Sequence, residues 1–136
     1  MANNEFAGSA LYAHWIWSGG TLVISTKNRN FSYNEAIETI DATAGSDATR
    51  RKIASFKSAT ASMVYAAQSD GTALIAALAA GVAGTLIFGE AGSVAGKPKT
   101  TMPAISLGIS RGVPYADVVT YDISWESNGD PTYGVW

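Results

Sequence analysis

The sequence predicts a mainly β domain carrying a single α-helix, and three observations lead there. Ile105, Leu107 and Ile109 alternate with Ser106, Gly108 and Ser110, and Val119, Tyr121, Ile123 and Trp125 alternate with Thr120, Asp122, Ser124 and Glu126. A period of two gives each segment an apolar and a polar side, as strands require. Leu11 to Trp17 and Thr21 to Thr26 are β-favouring runs separated by Ser18-Gly19-Gly20, which reads as a hairpin. Only Thr72 to Ala80 carries a confined helical stripe, Leu74, Ile75 and Leu78.

The elements follow in order. Residues 1–9 read as a polar arm. The first hairpin strand places Leu11, Ala13, Trp15 and Trp17 on one side and Tyr12, His14 and Ile16 on the other, so both faces are expected to meet protein. Phe31 to Ala44 admits two readings. Ser32 and Glu35 match a capping box and Ile37 and Ile40 sit at helical spacing, but the Thr and Ile content and an antiparallel partner in Ile53 to Ala67 favour a strand. Between them residues 45–52 would project as a loop.

The helix has Ser69 or Asp70 available as cap and Gly81 as its stop, and is expected to lie on the core. Thr85 to Gly89 then reads as a short buried strand, and Glu90 to Pro103 as a Gly- and Pro-punctuated loop or ribbon. In the tail, residues 127–136, Tyr133 and Trp136 follow turn chemistry and are expected to dock onto something. The total is six or seven strands and one helix. A chain of 136 residues without internal repeats is one domain.

Composition narrows the function. Hydrophobic residues make up 47% and charged residues only 15%, below the roughly 25% of an ordinary soluble domain. Part of the surface is therefore expected to be covered by other protein. A formal charge of -2 argues against a grip on nucleic acid, which needs clustered Lys and Arg. No Cys means no disulfide and no thiolate metal site, which fits a reducing compartment. The first ten residues do not read as a secretory signal, and the low-polarity stretch Thr72 to Phe88 is broken at Gly81 and Gly84, so no membrane span is expected.

Catalytic chemistry is not expected. His14 is the only imidazole, it sits inside a strand, and no glycine-framed serine elbow accompanies it. One His without Cys leaves zinc without ligands, so no metal or cofactor is expected. Glu35 with Glu38, or Asp122 with Glu126, could be paired acids, but alternation alone already puts Asp122, Ser124 and Glu126 on one side. Gly81-Val-Ala-Gly84 is no dinucleotide fingerprint and Gly96-Lys97-Pro98 no phosphate loop. Trp15 and Trp17, two apart on one strand, could form a sugar-stacking platform or serve as core anchors.

The early aromatic hairpin Trp15 to Thr26, the strand pair around a projecting loop from Phe31 to Ala67, the helix and short strand of Thr72 to Phe88, and the finish Val118-Val-Thr-Tyr-Asp-Ile-Ser-Trp-Glu-Ser-Asn-Gly129 with Pro131, Thr132 and Gly134 together resemble the tail tube (major tail) proteins of long-tailed phages and related injection-system tube proteins. The resemblance spans most of the chain. It implies a two-sheet β-sandwich or barrel flanked by the helix, and hexameric rings stacked into a virion tail tube assembled in the host cytoplasm. DNA would pass through the channel without specific binding, and tape-measure, baseplate and tail-terminator proteins would be partners. On this reading Glu35, Glu38, Asp41, Asp122 and Glu126 are the expected channel-lining residues. Arg50, Arg51, Lys52, Tyr133 and Trp136 are the expected contacts between rings. The competing expectation is a monomeric carbohydrate-binding or adhesion sandwich using Trp15 and Trp17.

Overall fold

A computed structural model describes residues 8–136 except Asp47 and Asp70, and of Phe56 only the backbone. After a short 3-10 turn, Gly8–Ala10, come β1 (Tyr12–Trp17), β2 (Gly20–Val23), β3 (Asn28–Asp41), β4 (Lys52–Ala66), α1 (Thr72–Ala77), β5 (Ala83–Gly89), β6 (Pro98–Gly112), β7 (Thr120–Ser127) and β8 (Thr132–Val135). Hydrogen bonding links the strands in the order β2-β1-β5-β6-β7-β4-β3, with β8 also on β6, and each pairing is antiparallel.

This one ladder folds into two packed layers because β6 runs through both. Its first part, Thr100 to Ile105, pairs with β5, and Pro98 to Thr101 pair on the opposite side with β8. From Ala104 to Gly112 it pairs with β7. The sheet turns over along β6 and the two halves meet face to face. Trp15 of β1 packs on Trp125 of β7 at 6.2 Å between ring centroids, and Phe31 of β3 on Phe88 of β5 at 4.8 Å. Trp15, Leu86, Phe88, Met102, Ile123 and Trp125 are fully buried between the layers. Gly84 permits the closeness: a Cβ there would lie 2.8 Å from the Trp15 ring.

The disputed segment is a strand. β3 pairs with β4 from Asn28↔Tyr65 to Asp41↔Lys52. The capping-box residues serve other ends: the Ser32 hydroxyl bonds that of Ser62 at 2.6 Å, and Glu35 accepts a hydrogen bond from Tyr133. Cross-strand partners outweighed a local helical pattern.

Two expectations need correction. Pro98 to Pro103 is not loop but the first part of β6. Its prolines are tolerated for a positional reason: Pro98 opens the strand, and Pro103 lies where β8 has ended and β7 has not begun, so no neighbouring strand needs its missing N–H. With β8 in the tail, the described residues form eight strands rather than six or seven.

The helix is also shorter than expected. It ends at Ala77, with Gly71 at its N-cap and no side-chain cap there, so Ser69 does not cap it; Asp70 lies outside the described residues. Its buried stripe is Leu74, Ala77 and Leu78, with Ile75 at the margin. The early stop has a tertiary cause. The Trp15 indole N–H donates to the Ala77 carbonyl at 2.9 Å and the Ser106 hydroxyl to the Leu78 carbonyl at 2.8 Å, satisfying oxygens that a further turn would otherwise occupy. Gly81, at φ +87, then turns the chain so that its N–H meets Ser106 O at 2.8 Å.

Replacing Trp15 with Phe keeps an aromatic ring but leaves the Ala77 carbonyl without its buried donor. Urea unfolding of W15F should show a loss of about 1–3 kcal/mol, and an unchanged midpoint would show that the indole bond does not anchor the helix.

Candidate functional site: a polar sheet face between two free edges

The half of the sandwich formed by β6, β7, β4 and β3 turns one side inward and the other to solvent. Along β4 the residues Ala59, Ala61, Met63 and Tyr65 are buried, while the intervening Ser58, Thr60 and Ser62 are exposed. Register carries this division across the strands: Thr60 faces Glu126, Ser62 faces Ser124 and Val64 faces Asp122, while Ser32, Asn34 and Ala36 of β3 oppose Ser62, Thr60 and Ser58. Ser110 of β6 continues the row beside Asp122. The outer face is thus made of small polar side chains with the acids Asp122 and Glu126, joined through alternation along β3 by Glu38 at the bulge between Ile37 and Thr39, and no Lys or Arg occurs from Asn30 to Glu38, Ser58 to Val64 or Thr120 to Glu126.

The five acids singled out from the sequence do not share this face. Asp122 and Glu126 do, and strand alternation adds Glu38. Glu35 is on the opposite side of β3, where the Tyr133 hydroxyl donates to it and the hydroxyls of Tyr33 and Tyr133 lie 3.1 Å apart. The carboxylate acceptor opposes loss of the Tyr133 proton and pushes that phenol well above its usual range. Asp41 stands at the end of β3, where the hydroxyl and amide of Thr43 both donate to it and hold its carboxyl below the ordinary carboxylate range.

Arg50, Arg51 and Lys52 lie at the exposed far end of the β3–β4 hairpin. The Arg51 amide donates to the Thr43 hydroxyl at 2.9 Å and its carbonyl accepts from Ala42 N–H at 2.8 Å, so the hairpin stays paired almost to its tip.

Trp136 docks onto its own chain. Its ring sits against Tyr12 at 5.5 Å and His14 at 6.1 Å, the side of β1 opposite the core, and the Lys99 ammonium lies 5.1 Å from its centroid. Gly89 makes the seat possible, since a Cβ there would come within 2.8 Å of the Pro98 carbonyl as well as striking the indole. Burial and the nearby Lys99 charge both disfavour imidazolium and lower the His14 pKa. Trp15 cannot stack on a sugar, because it is wholly buried with its N–H committed to Ala77. The proposed two-tryptophan platform is therefore absent. Among the described residues no group of acids and His could hold a metal ion.

The strand ends of this half-sheet were not foreseen. β3 is an edge along its whole length, and on the other flank β6 is paired with β5 only as far as Ile105, leaving Leu107 to Gly112 with an unpaired edge among the described residues. A bulge between Ser106 and Gly108, with Gly108 at φ +106, turns that part of β6 away from β5. No sequence pattern distinguishes an edge from a central strand here, so only the topology could reveal it.

No family model matches the chain, and no curated protein matches it. Solved structures do. A chain in the tail of an empty gene transfer agent particle, refined helically with C6 symmetry, superposes with a TM-score of 0.73 at 14% identity, covering 96% of this chain and 100% of the other. The chain has the tail-tube fold. The sheath–tube complex of an extracellular contractile injection system in its extended state contains a chain similar at TM-score 0.71 and 11% identity, covering 99% of this chain and 95% of that one. The Hcp protein is similar at 0.52 and 12% identity, with 93% and 98% covered. The two-layer, one-helix architecture is thus the tail-tube one, and the similarity at these identities is one of fold.

Because neutral His14 suits the seated Trp136, the stabilisation is present above the ordinary His pKa of about 6.5 and is lost as pH falls through that value toward the lowered one. Denaturant midpoints measured from pH 7.5 to 5 should fall more steeply in the wild type than in His14→Gln; parallel slopes would remove His14 as the cause.

Proposed function

We propose that the chain is a non-enzymatic structural subunit that closes laterally into hexameric rings, which stack into the tube of a phage-type tail. The observation that carries this reading is the pair of free edges on the β6-β7-β4-β3 half-sheet. Successive strands are antiparallel, so β3 and β6, at the two flanks of a four-strand set, run in opposite directions. The β3 edge of one copy laid beside the Leu107–Gly112 edge of the next therefore continues the antiparallel alternation. Such a contact joins different surfaces of two copies, and repeated rotation closes it into a ring. Closure also removes both edges, which would otherwise invite uncontrolled strand addition.

In that ring the polar outer face becomes the wall of the channel. Glu38, Asp122 and Glu126, repeated around it among Ser, Thr and Asn side chains, repel phosphates and give DNA nothing to adhere to. Glu35 and Asp41, the other two acids expected to line it, belong by register to the opposite side and to the hairpin end. The extended β3–β4 hairpin with Arg50, Arg51 and Lys52 reaches beyond the ring toward its neighbour. Trp136 steadies the tail on its own subunit, leaving Tyr133 at the rim. Tape-measure, baseplate and terminator proteins are the expected partners, in a virion tail assembled in the host cytoplasm.

Negative-stain electron microscopy across a concentration series should show hollow rings or tubes, and a monomer persisting at every concentration would count against the reading. The double variant Asp122→Lys with Glu126→Lys should still form rings but retain DNA in a salt-sensitive complex that the wild type does not form. Equal, absent retention in both would show that the face does not line the channel.

A further inference from the structure

We infer that the β6–β7 loop of one subunit is the docking knob for the β3–β4 hairpin arm of a second copy in the adjoining ring. The inference rests on the stacked-ring reading and adds to it a defined pair of surfaces.

The loop exposes apolar side chains that its own chain does not cover. Val113 is 73% exposed, Tyr115 fully so and Val118 51%. Pro114 restricts the turn, and the Asp117 carboxylate accepts from the Val118 amide at 2.7 Å, so the loop has internal order rather than being a bare connection.

The arm carries exposed apolar side chains on both of its faces. Past the level of Ala59, whose N–H donates to the Ser127 hydroxyl oxygen at 3.0 Å, β4 leaves β7 behind and continues with β3 alone. The remaining residues, Lys52 to Ser58, overhang the body by roughly 20 Å at strand rise. A two-stranded ribbon is marginal in water by itself, and this one carries Ile37, Ile40 and Ile53 at 46%, 54% and 59% exposure, with Ile40 directly opposite Ile53. Burying that area against protein is what would hold the arm straight.

Strand direction puts the two surfaces at opposite ends of one subunit. β3 and β7 run one way and β4 and β6 the other, so the arm tip lies where β3 ends, whereas the β6–β7 loop lies where β3 begins. About 40 Å of strand separates Ile40 from that loop, too far for contact within a subunit or between level copies in one ring. Copies stacked with the same polarity bring each arm to the loop end of the next. The arm ends in Arg50-Arg51-Lys52, and the loop tip presents Asp117, with Arg111 at its base held over the Tyr121 ring. The occupant is therefore another copy of this chain.

The cysteine-free sequence makes the test direct. Chains carrying Tyr115→Cys together with Ile37→Cys, or with Ile40→Cys to sample the other face of the arm, should form a ladder of disulfide-linked multimers on mild oxidation of assembled tubes, while each single variant should not. In parallel, Tyr115→Ser with Val113→Ser should leave rings but shorten or abolish tubes. Rings or full-length tubes without a ladder from either pair would overturn the pairing while leaving the ring reading standing. Failure of the wild type to form any ring would overturn both.

Discussion

The structure depends on one strand serving two layers. β6 hydrogen-bonds to β5 and β8 through its first part and to β7 through its second, and the sheet must fold over along it. The fold brings Trp15 onto Trp125 and Phe31 onto Phe88, which removes the bulkiest apolar surface from water. It also leaves the distal part of β6 beyond the reach of β5. The same divergence that creates the core therefore creates the free edge.

The helix is subordinate to that arrangement. Six residues without a side-chain cap would not be stable alone. It persists because Leu74, Ala77 and Leu78 close the core and because Trp15 and Ser106, one from each side of the fold, bind its last carbonyls. Polar groups on the outer sheet face have a different task. They are small and hydrated, and hydroxyls such as Ser32 and Ser62 bond across the strands. A face of this kind stays smooth and soluble, and its few charges have one sign.

Much of this was legible in the chain itself. The β1 side bearing Ala13 and Trp15, the β7 side bearing Ile123 and Trp125, and the antiparallel partnership of β3 with β4 follow from alternation, which reports directly which side of a strand is buried. The strand reading of β3 needed its partner, because Ser32, Glu35, Ile37 and Ile40 satisfy a helical template equally well. The start of β6 was hidden by its prolines, whose acceptability depends on a gap between β8 and β7 that no local pattern encodes. Trp17 and Trp15 look alike in sequence, yet only Trp15 is sealed with its indole bonded.

The sequence by itself determined that this protein is β-rich with one helix and carries little charge, because periodicity and composition are local properties of the chain. Only the tertiary structure decided that Glu38, Asp122 and Glu126 share a face from which Glu35 is turned away, that Trp136 folds back onto Tyr12 and His14, and that β3 and the end of β6 have no strand partner on their outer side among the described residues. These are relations between strands distant in sequence. They are fixed by register, bulges and the folding-over of the sheet, quantities that exist only once non-local hydrogen bonds have formed.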